Sequence, residues 1–298
     1  MSLKDASLDR RTFLRGVGVF AAMPALATLA GCGGSQESKS DDAKTDAAAT
    51  DKAAAFDGTL IVGFDQDFPP YGYRDDNGEY TGFDLDLAKK VCEMEGWTYK
   101  PEPIPWDSKD ALLNSGQITC IWNGFTIEGR EKDYAFTSPY MENRQVIVVP
   151  ANSTVKKLAD LKGKNVVTQA DSAALNLLSE GGDQAELGKT FAKLDTIGEY
   201  NTAFMSLQTG EYDAVACDYS VAAFNIGDSK DYVILDEPLN SEHFGVGFAN
   251  TDEGKELAKK VEADLQKLDA DGTVKQVCEK YADQGVSYTA WVLPKASA

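Results

Sequence analysis

The sequence predicts an α/β fold that is divided into two lobes. From Thr59 onward, short apolar strand-like segments alternate with amphipathic helix-like segments, which is the pattern of an open α/β sheet. The alternation restarts after the apolar segment RQVIVVP, and two amphipathic helical segments end the folded region. With 298 residues, of which 43% are hydrophobic, the chain is long enough for two domains or one bilobal domain.

The first cycle opens with the strand GTLIVGFD and continues with FPPYGYRDDNGEYTG, a predicted loop with two prolines and an Asp-Asn-Gly turn. The next segment, FDLDLAKKVCEMEGW, is a predicted helix. We expect Asp84 to cap its start and Gly96 to end it. Leu87, Val91 and Met94 fall on one face, which predicts that this face is buried.

Three shorter elements complete the first cycle. TYKPEPIPW is predicted to be an edge strand, because its prolines cannot donate hydrogen bonds within a central strand. KDALLNSG is a short helix that Gly116 stops, and QITCIWN is the next strand.

The second cycle begins with the strand RQVIVVP. The segment KLADLKGKNVVTQADSAALNLLSE predicts helix, strand and helix, and YNTAFMSLQTGEYDAVACDYSVAAFNI predicts the same order again. DYVILD and HFGVGFAN are two further strands, and EGKELAKKVEADLQKLDADGTVKQVCEKYAD is a pair of amphipathic helices.

The start of the chain is predicted to be a targeting segment rather than part of the fold. Arg10 and Arg11 precede a short apolar run, which is typical of a signal peptide over residues 1–31 and resembles a Tat export signal. The motif LAGC resembles the lipobox of bacterial lipoproteins, which implies that Cys32 becomes the lipidated first residue. The alternative is an ordinary secretory signal with a chance cysteine. Residues 33–55 have no aromatic and no large aliphatic side chain, and residues 32–56 are predicted to be the lipidated cysteine and a flexible linker.

Composition excludes several classes of function. The formal net charge of −19 argues against nucleic-acid binding, since phosphates would repel the chain. The sequence has one histidine, His243, and no C-x-x-C pair, so we expect no metal site, no cofactor and no Ser-His-Asp triad. Four cysteines lie in the folded region, where buried free thiols are slightly favoured over disulfides: Cys92, Cys120, Cys217 and Cys278.

Six motifs, taken in order, carry a resemblance to a known family: GFDQDFPPYGY, GEYTGFDLDLAK, WNGFTIEGREKDYAFTSPY, LKGKNVVTQADSAA, GEYDAVACD and DGTVKQVCEKYA. The folded region resembles the extracytoplasmic amino-acid-binding proteins of ABC importers, the polar amino acid family. The resemblance implies a two-lobed periplasmic-binding-protein-like fold, with two crossing strands and a ligand cleft between the lobes. It places residues 57–145 and 246–298 in lobe 1 and residues 146–245 in lobe 2, with crossings at residues 144–149 and 244–248.

The same resemblance implies a site for the carboxylate of a free amino acid. Arg130 matches the arginine that binds the carboxylate. Thr126 matches a position that adds a backbone N–H and often a hydroxyl, and Gly124 lets the backbone approach the ligand. Ser172 matches a second-lobe residue whose N–H joins this site at the start of a helix. Arg130 could instead form a surface salt bridge with a nearby acid, and Ser172 could be a plain helix cap.

The remaining site residues are implied for the amino group and the side chain of the ligand. Asp218 matches the aspartate that accepts from the ammonium, with a helix N-cap as its alternative role. Phe68 and Trp106 match two aromatic walls around the ligand side chain, although core packing would also account for them. Asp65 matches an acidic position that favours a polar or basic ligand, or it caps the following loop. Cystine or another sulfur amino acid stays open.

Three functional classes follow from these residues. The first is a substrate-binding lipoprotein on the extracytoplasmic face of the cell membrane. It would act as a monomer that takes a free amino acid to an ABC permease and its ATPase subunits. The second is a secreted dehydratase of the cyclohexadienyl or arogenate type on the same fold. The third is the sensor domain of a receptor. The combined set for a carboxylate and an ammonium favours binding without catalysis.

Overall fold

The computed structural model of this protein describes residues 55–294. The predicted export segment, Cys32 and nearly all of the predicted linker lie outside the described residues. Within the described part of the chain, no helix is both long and apolar enough to cross a membrane.

Strands and helices alternate along most of the described chain. The strands are β1 Thr59–Phe64, β2 Asp67–Phe68, β3 Gly72–Arg74, β4 Tyr80–Thr81, β5 Thr98–Pro103, β6 Cys120–Ile121, β7 Tyr134–Phe136, β8 Met141–Asn143, β9 Gln145–Pro150, β10 Asn165–Gln169, β11 Lys193–Ile197, β12 Ala214–Asp218, β13 Tyr232–Ile234, β14 Glu242–Phe244 and β15 Gly247–Ala249. The helices are α1 Phe83–Glu95, α2 Lys109–Asn114, α3 Ala173–Leu178, α4 Ala185–Gly188, α5 Tyr200–Thr209, α6 Tyr219–Ile226, α7 Asp252–Ala270 and α8 Thr273–Lys280.

Two five-stranded sheets form the centres of two lobes, which confirms the predicted two-lobed α/β class. The first sheet has the order β5-β1-β6-β15-β7, and the second has the order β11-β10-β12-β9-β13. β1 runs parallel to β5 and β6, whereas β15 is antiparallel to both of its neighbours. β5 lies at the edge of its sheet, as its prolines predict.

A two-stranded antiparallel pair, β8 with β14, lies in the chain between the two sheets. The expected crossings at residues 144–149 and 244–248 therefore need a correction of a few residues. β9 belongs wholly to the second sheet and β15 to the first, so the chain passes between the lobes at β8 and β14. We call this pair the hinge pair.

The last two helices return to the first lobe. α7 and α8 pack against α1, and their apolar faces bury Val261, Leu265 and Val274 completely. This packing explains the strong amphipathic pattern at the end of the folded region.

Helix α1 begins differently from the prediction. Its N-cap is Gly82, whose φ of 139° is open only to glycine, and a Cβ there would lie 2.2 Å from the Tyr71 carbonyl oxygen. Asp84 is not the cap but is fully buried inside the first turn. Leu87 is buried as expected, whereas Met94 is 42% exposed, so the buried face is narrower than the pattern indicated.

The predicted loop after β1 also needs a correction, because it contains a small antiparallel sheet of β2, β3 and β4. The sequence pattern missed β7, β8, β11 and α4 altogether. Each is three to five residues long, which is too short for a hydrophobic period to be recognised. The four cysteines of the described region are buried free thiols.

The Asp84 carboxylate joins three separate segments of the first lobe. Its Oδ2 atom accepts a hydrogen bond from the Gly124 N–H at 2.6 Å and another from the Tyr140 hydroxyl at 2.8 Å. Burial raises the pKa of Asp84 to about 7. In the unfolded chain the pKa is about 3.9, so the folded state binds this proton more tightly.

We predict that Asp84→Asn flattens the dependence of stability on pH. Because the folded pKa is raised, the stabilisation from Asp84 is fully present below about pH 4 and is lost as the pH rises towards 7. The loss is about 1.4 kcal/mol for each pH unit, or about 4 kcal/mol over the window. Asparagine keeps an oxygen for both donors but does not titrate. Urea unfolding of both proteins between pH 4 and 7 measures the difference, and parallel pH profiles would contradict the assignment.

Candidate functional site

The two lobes meet at a cleft that is closed by direct contacts. The Gln169 side-chain amide, from the second lobe, donates to the Asp65 carboxylate of the first lobe at 2.5 Å. Asn201 donates to Asp67 at 2.7 Å, and the rings of Phe68 and Tyr200 lie 6.2 Å apart. Gln169, Asp65, Phe68 and Tyr200 are buried, so this part of the cleft is screened from bulk water, whereas Asn201 is exposed.

Arg130 lies in this cleft with only 7% of its surface exposed. One guanidinium nitrogen donates to the Thr126 carbonyl oxygen at 3.2 Å, and the other donates to the Asp171 carbonyl oxygen of the opposite lobe at 3.1 Å. The guanidinium carbon is 5.0 Å from the Phe125 ring centroid. The alternative of a surface salt bridge is wrong, because Arg130 is buried and its neighbour Glu128 pairs with His243.

A second buried cation, Lys109, was not predicted. Its side chain is 1% exposed, forms an ion pair with Asp171 across the cleft and lies 5.2 Å from the Trp106 ring centroid. Burial lowers the pKa of Lys109. Asp171 has φ 57°, an unusual conformation for a residue other than glycine. Both its carbonyl and its carboxylate thus face cations of the first lobe.

Gly124 follows β6 at a position that has no space for a side chain. Its φ is +55°, and a Cβ would lie 2.8 Å from the Phe68 ring and 3.3 Å from the Phe244 ring. Its N–H is already bonded to Asp84, so this N–H is held by the protein itself. Glycine is required here by backbone conformation and by the two rings, in addition to the close approach that the sequence predicted.

Thr126 and Ser172 are both buried at the cleft. The Thr126 hydroxyl donates to Glu242 at 3.0 Å. The Ser172 hydroxyl accepts from the Leu175 N–H at 3.1 Å, so Ser172 is the N-cap of α3. The cap role, given as an alternative for Ser172, is therefore present in the structure. The Ser172 backbone N–H makes a long hydrogen bond, 3.4 Å, to the Gln169 carbonyl oxygen.

Asp218 ends β12 and is 5% exposed. Its Oδ1 accepts from Asn143 at 2.7 Å and from Gln145 at 2.8 Å. Burial is the main cause that raises the pKa of Asp218 to about 8, and the nearby Glu242 carboxylate is the second cause. Asp218 occupies the N-cap position of α6, but its side chain makes no capping hydrogen bond.

Asp65 lies just past β1, and its carboxylate accepts from the Asp67 N–H at 2.8 Å as well as from Gln169. The predicted loop-capping role is therefore present together with a contact across the cleft. Burial is the main cause that raises the pKa of Asp65 to about 6, and the charges of Asp67 and Glu199 add to it. A cation that approached Asp65 would lower this pKa again.

Asp65 and Trp106 line a cavity of about 350 Å³ that opens between the lobes. Acidic side chains dominate its polar walls: Asp65, Asp67, Asp107 and Glu199. Phe68 and Trp106 are 6% and 9% exposed, so both are mostly buried while they border the cleft. Trp122, two residues before Gly124, is fully buried in the core.

The structure brings all eight predicted site residues to the cleft, and it adds others that sequence reasoning missed. The additional polar residues are Lys109, Asn143, Gln145 and Glu242. Within residues 55–294, no group of three or more potential metal ligands is placed to hold an ion.

Comparisons with known proteins agree on one family. The family described as bacterial extracellular solute-binding proteins, family 3, matches residues 60–284. The L-cystine-binding protein TcyJ of Escherichia coli (strain K12) is 28% identical over 228 residues, which is 75% of this chain and 82% of that protein.

Solved structures give the same result. A substrate-binding protein of an ABC uptake transporter from Streptococcus pneumoniae, with bound histidine, is 30% identical with a TM-score of 0.72. It covers 78% of this chain and 95% of its own. An ancestral arginine-binding protein bound to arginine is 34% identical with a TM-score of 0.68, and covers 75% and 98%.

One further similar structure is relevant to the dehydratase alternative. The ancestral amino acid-binding protein AncCDT-1, described as a precursor of cyclohexadienyl dehydratase, is 30% identical with a TM-score of 0.67. It covers 75% of this chain and 95% of its own.

We predict that Gly124→Ala destabilises the protein more than Gly129→Ala does. Both glycines have positive φ, which costs about 1–2 kcal/mol for alanine. A Cβ at Gly129 has no atom within 4 Å, whereas one at Gly124 meets the Phe68 ring. This overpacking adds about 1–3 kcal/mol. Urea unfolding measures both variants, and equal losses would show that the rings move aside without resistance.

Proposed function

This chain belongs to the bacterial extracellular solute-binding proteins, family 3, and we propose that it captures a polar or basic amino acid for an ABC importer. The predicted family is confirmed by the match over residues 60–284, and the reported relatives are amino-acid-binding proteins. In this function the lobes close around the ligand, and a membrane permease with its ATPase subunits receives the ligand from the closed form.

One observation carries the proposal. The cleft buries ionisable groups of both signs that have no ion partner within residues 55–294: the guanidinium of Arg130 and the carboxyl groups of Asp65 and Asp218. A buried charge is costly unless it is paired. A free amino acid brings a carboxylate and an ammonium at opposite ends, and it therefore complements both.

We assign the carboxylate of the ligand to Arg130, supported by the backbone N–H of Thr126. The Ser172 N–H can join them, because its bond to the Gln169 carbonyl oxygen is long at 3.4 Å. Arg130 presents a planar fork of donors, which matches a carboxylate better than lysine would. We assign the ammonium to Asp218, because its Oδ2 atom accepts no hydrogen bond from the described residues.

The side chain of the ligand is assigned to the acidic cavity between Asp65 and Trp106. Asp65, Asp67, Asp107 and Glu199 favour a donor or a cation there. The Trp106 ring borders the same cavity and already has the Lys109 ammonium 5.2 Å from its centroid. The neighbours with bound arginine and histidine fit this chemistry. An acidic ligand such as glutamate would face repulsion.

Enzymatic activity is not favoured. The neighbour connected with a dehydratase is itself described as an amino-acid-binding protein. Dehydration would need an acid positioned at a leaving group. In this cleft Asp218 and Asp65 are held by amide donors from Asn143, Gln145 and Gln169.

We also propose that the protein is a lipoprotein held on the extracytoplasmic face of the cell membrane. The motif LAGC and the twin arginines Arg10 and Arg11 support this proposal, as does the extracellular character of the family. Stable attachment requires more than one acyl chain, so we infer a multi-chain lipid at Cys32.

The binding function predicts that one or a few amino acids raise the thermal unfolding midpoint. A ligand that binds only the folded state stabilises it in proportion to the logarithm of its concentration over Kd. The screen uses the common amino acids, cystine and prephenate. We expect Arg130→Ala to weaken binding of the best ligand by about 100-fold or more, because two charge-assisted hydrogen bonds are lost.

Arg74→Ala is the matched control for that screen. Arg74 is exposed, and among the described residues its guanidinium makes one hydrogen bond, to the Gly78 carbonyl oxygen. We expect this control to keep the wild-type affinity. A shift with prephenate and with no amino acid would reject the importer function in favour of the enzyme.

The lipid anchor predicts that the protein partitions with membranes and incorporates a labelled fatty acid when it is expressed in a bacterium. Cys32→Ser should abolish the label and release the chain into the soluble extracytoplasmic fraction. The double variant Arg10→Lys with Arg11→Lys should block export by the twin-arginine route. Unchanged membrane partition of Cys32→Ser would contradict lipidation at this residue.

A further inference from the structure

Two buried carboxylates are joined by two amide side chains at the ammonium end of the cleft. Asn143 Nδ2 donates to Asp218 Oδ1 and to Glu242 Oε1, at 2.7 Å in each case. Gln145 Nε2 donates to the same two oxygens at 2.8 and 2.7 Å. An amide NH₂ group has two hydrogens, so these four bonds use all the hydrogens of both groups. The two carboxylates are therefore fixed relative to one another.

This arrangement orients Asp218. Since its Oδ1 accepts from both amides, its Oδ2 is the oxygen left to accept from a ligand. Glu242 is held still more firmly, because Oε1 also accepts from Thr126 and Oε2 accepts from Asn240 at 3.2 Å. Glu242 is 1% exposed, and no ion pair to it forms within the described residues.

The bond from Thr126 to Glu242 determines what the Thr126 hydroxyl can do. A hydroxyl has one hydrogen, and an ionised carboxylate only accepts. The Thr126 Oγ1 atom gives its hydrogen to Glu242 at 3.0 Å and keeps only lone pairs. It can therefore accept from an ammonium but cannot donate to a carboxylate. The hydroxyl serves the opposite end of the ligand from the carboxylate site that the sequence resemblance implied.

We propose that Glu242 is a positioning residue for the ammonium group of the ligand, an inference that rests on the proposed binding of amino acids. Glu242 acts through two sets of contacts. It accepts the hydrogen of the Thr126 hydroxyl, which leaves this hydroxyl as an acceptor. It also accepts from the Asn143 and Gln145 amides, which orient Asp218. Glu242 and Asn143 belong to β14 and β8 of the hinge pair. The acceptors for the ammonium are thus attached to the strands about which the lobes close.

The test compares three variants by titration calorimetry with L-arginine, L-histidine and L-cystine. We expect Glu242→Met to weaken binding about 30-fold or more, since it removes the acceptor that orients Thr126 and the partner of both amides. Glu242→Gln should lose about 3- to 10-fold, because its amide oxygen can still accept from Thr126 while the charge is gone. Circular dichroism checks that each variant folds. If Glu242→Met does not fold, the affinity and proton release of Glu242→Gln alone decide the test.

Glu128→Gln is the matched control. Glu128 is an exposed carboxylate that bonds to His243, the residue next to Glu242 on the same strand. It makes no contact with Thr126, Asn143 or Gln145 among the hydrogen bonds of the described residues. We expect its affinity for each amino acid to stay within two-fold of wild type.

Proton release gives a readout that a merely structural role would not change. The charge of Glu242 contributes to the raised pKa of Asp218, so binding an ammonium should release a proton from the wild-type protein at pH 7. Tyr71, Tyr200 and the Cys217 thiol also face Asp218, but burial raises the pKa of each, so they stay neutral at this pH. In Glu242→Gln, the pKa of Asp218 falls and fewer protons are released.

Calorimetry in two buffers with different ionisation enthalpies counts these protons. If wild type binds an amino acid but both Glu242 variants bind it within two-fold and release the same number of protons, the role of Glu242 is overturned and the binding function stands. If wild type binds none of the three amino acids, nor any other amino acid in the thermal screen, both the binding function and this inference fail.

Discussion

A carboxylate that leaves water loses several kcal/mol of hydration free energy unless donors or a cation replace that water. The cleft of this protein removes three carboxyl groups from solvent together, those of Asp65, Asp218 and Glu242. Side-chain amides supply the replacement: Gln169 for Asp65, and Asn143 with Gln145 for the other two. Amides provide hydrogen bonds without a positive charge. They therefore offset only part of the effect of burial, so the pKa values of Asp65 and Asp218 stay raised and a cation that enters the cleft can take the place of a proton.

The same network explains why closure and site assembly are one event. Asp65 and Arg130 belong to the first lobe, and each obtains a partner from the second lobe, the Gln169 amide and the Asp171 carbonyl oxygen. Glu242 on the hinge pair bonds to Thr126 of the first lobe and, through Gln145, reaches Asp218 of the second. Opening the lobes would break the bonds of Asp65 and Arg130 to the second lobe and expose these two groups to water. A ligand that pairs with them stabilises the closed form, as population shift requires.

The sequence reveals the parts of the site that local pattern controls. Asp65 and Asp218 follow strongly apolar strands, and the ends of such strands meet at the edge of a sheet where ligands bind. Glu242 and Asn143 escaped notice because β8 and β14 have three residues each and pair across a separation of about 100 residues, which no local period encodes. Asp84 was misread because an acid in a first turn normally caps a helix, whereas here it is buried beneath the site and holds the Gly124 N–H.

Charge balance narrows the class of ligand further than the fold does. A neutral amino acid brings one positive and one negative group, so it satisfies Arg130 and one acceptor but leaves Asp65 beside Asp67 and Glu199 without a cation. That charge must then be neutralised by a proton, which burial makes favourable near pH 6 but less so at higher pH. A basic side chain beside Asp65 would replace this proton and keep its own charge paired. The acidic cavity therefore favours a ligand with a cationic side chain over a ligand with a neutral side chain of similar size, because only the cation pairs with the Asp65 carboxylate.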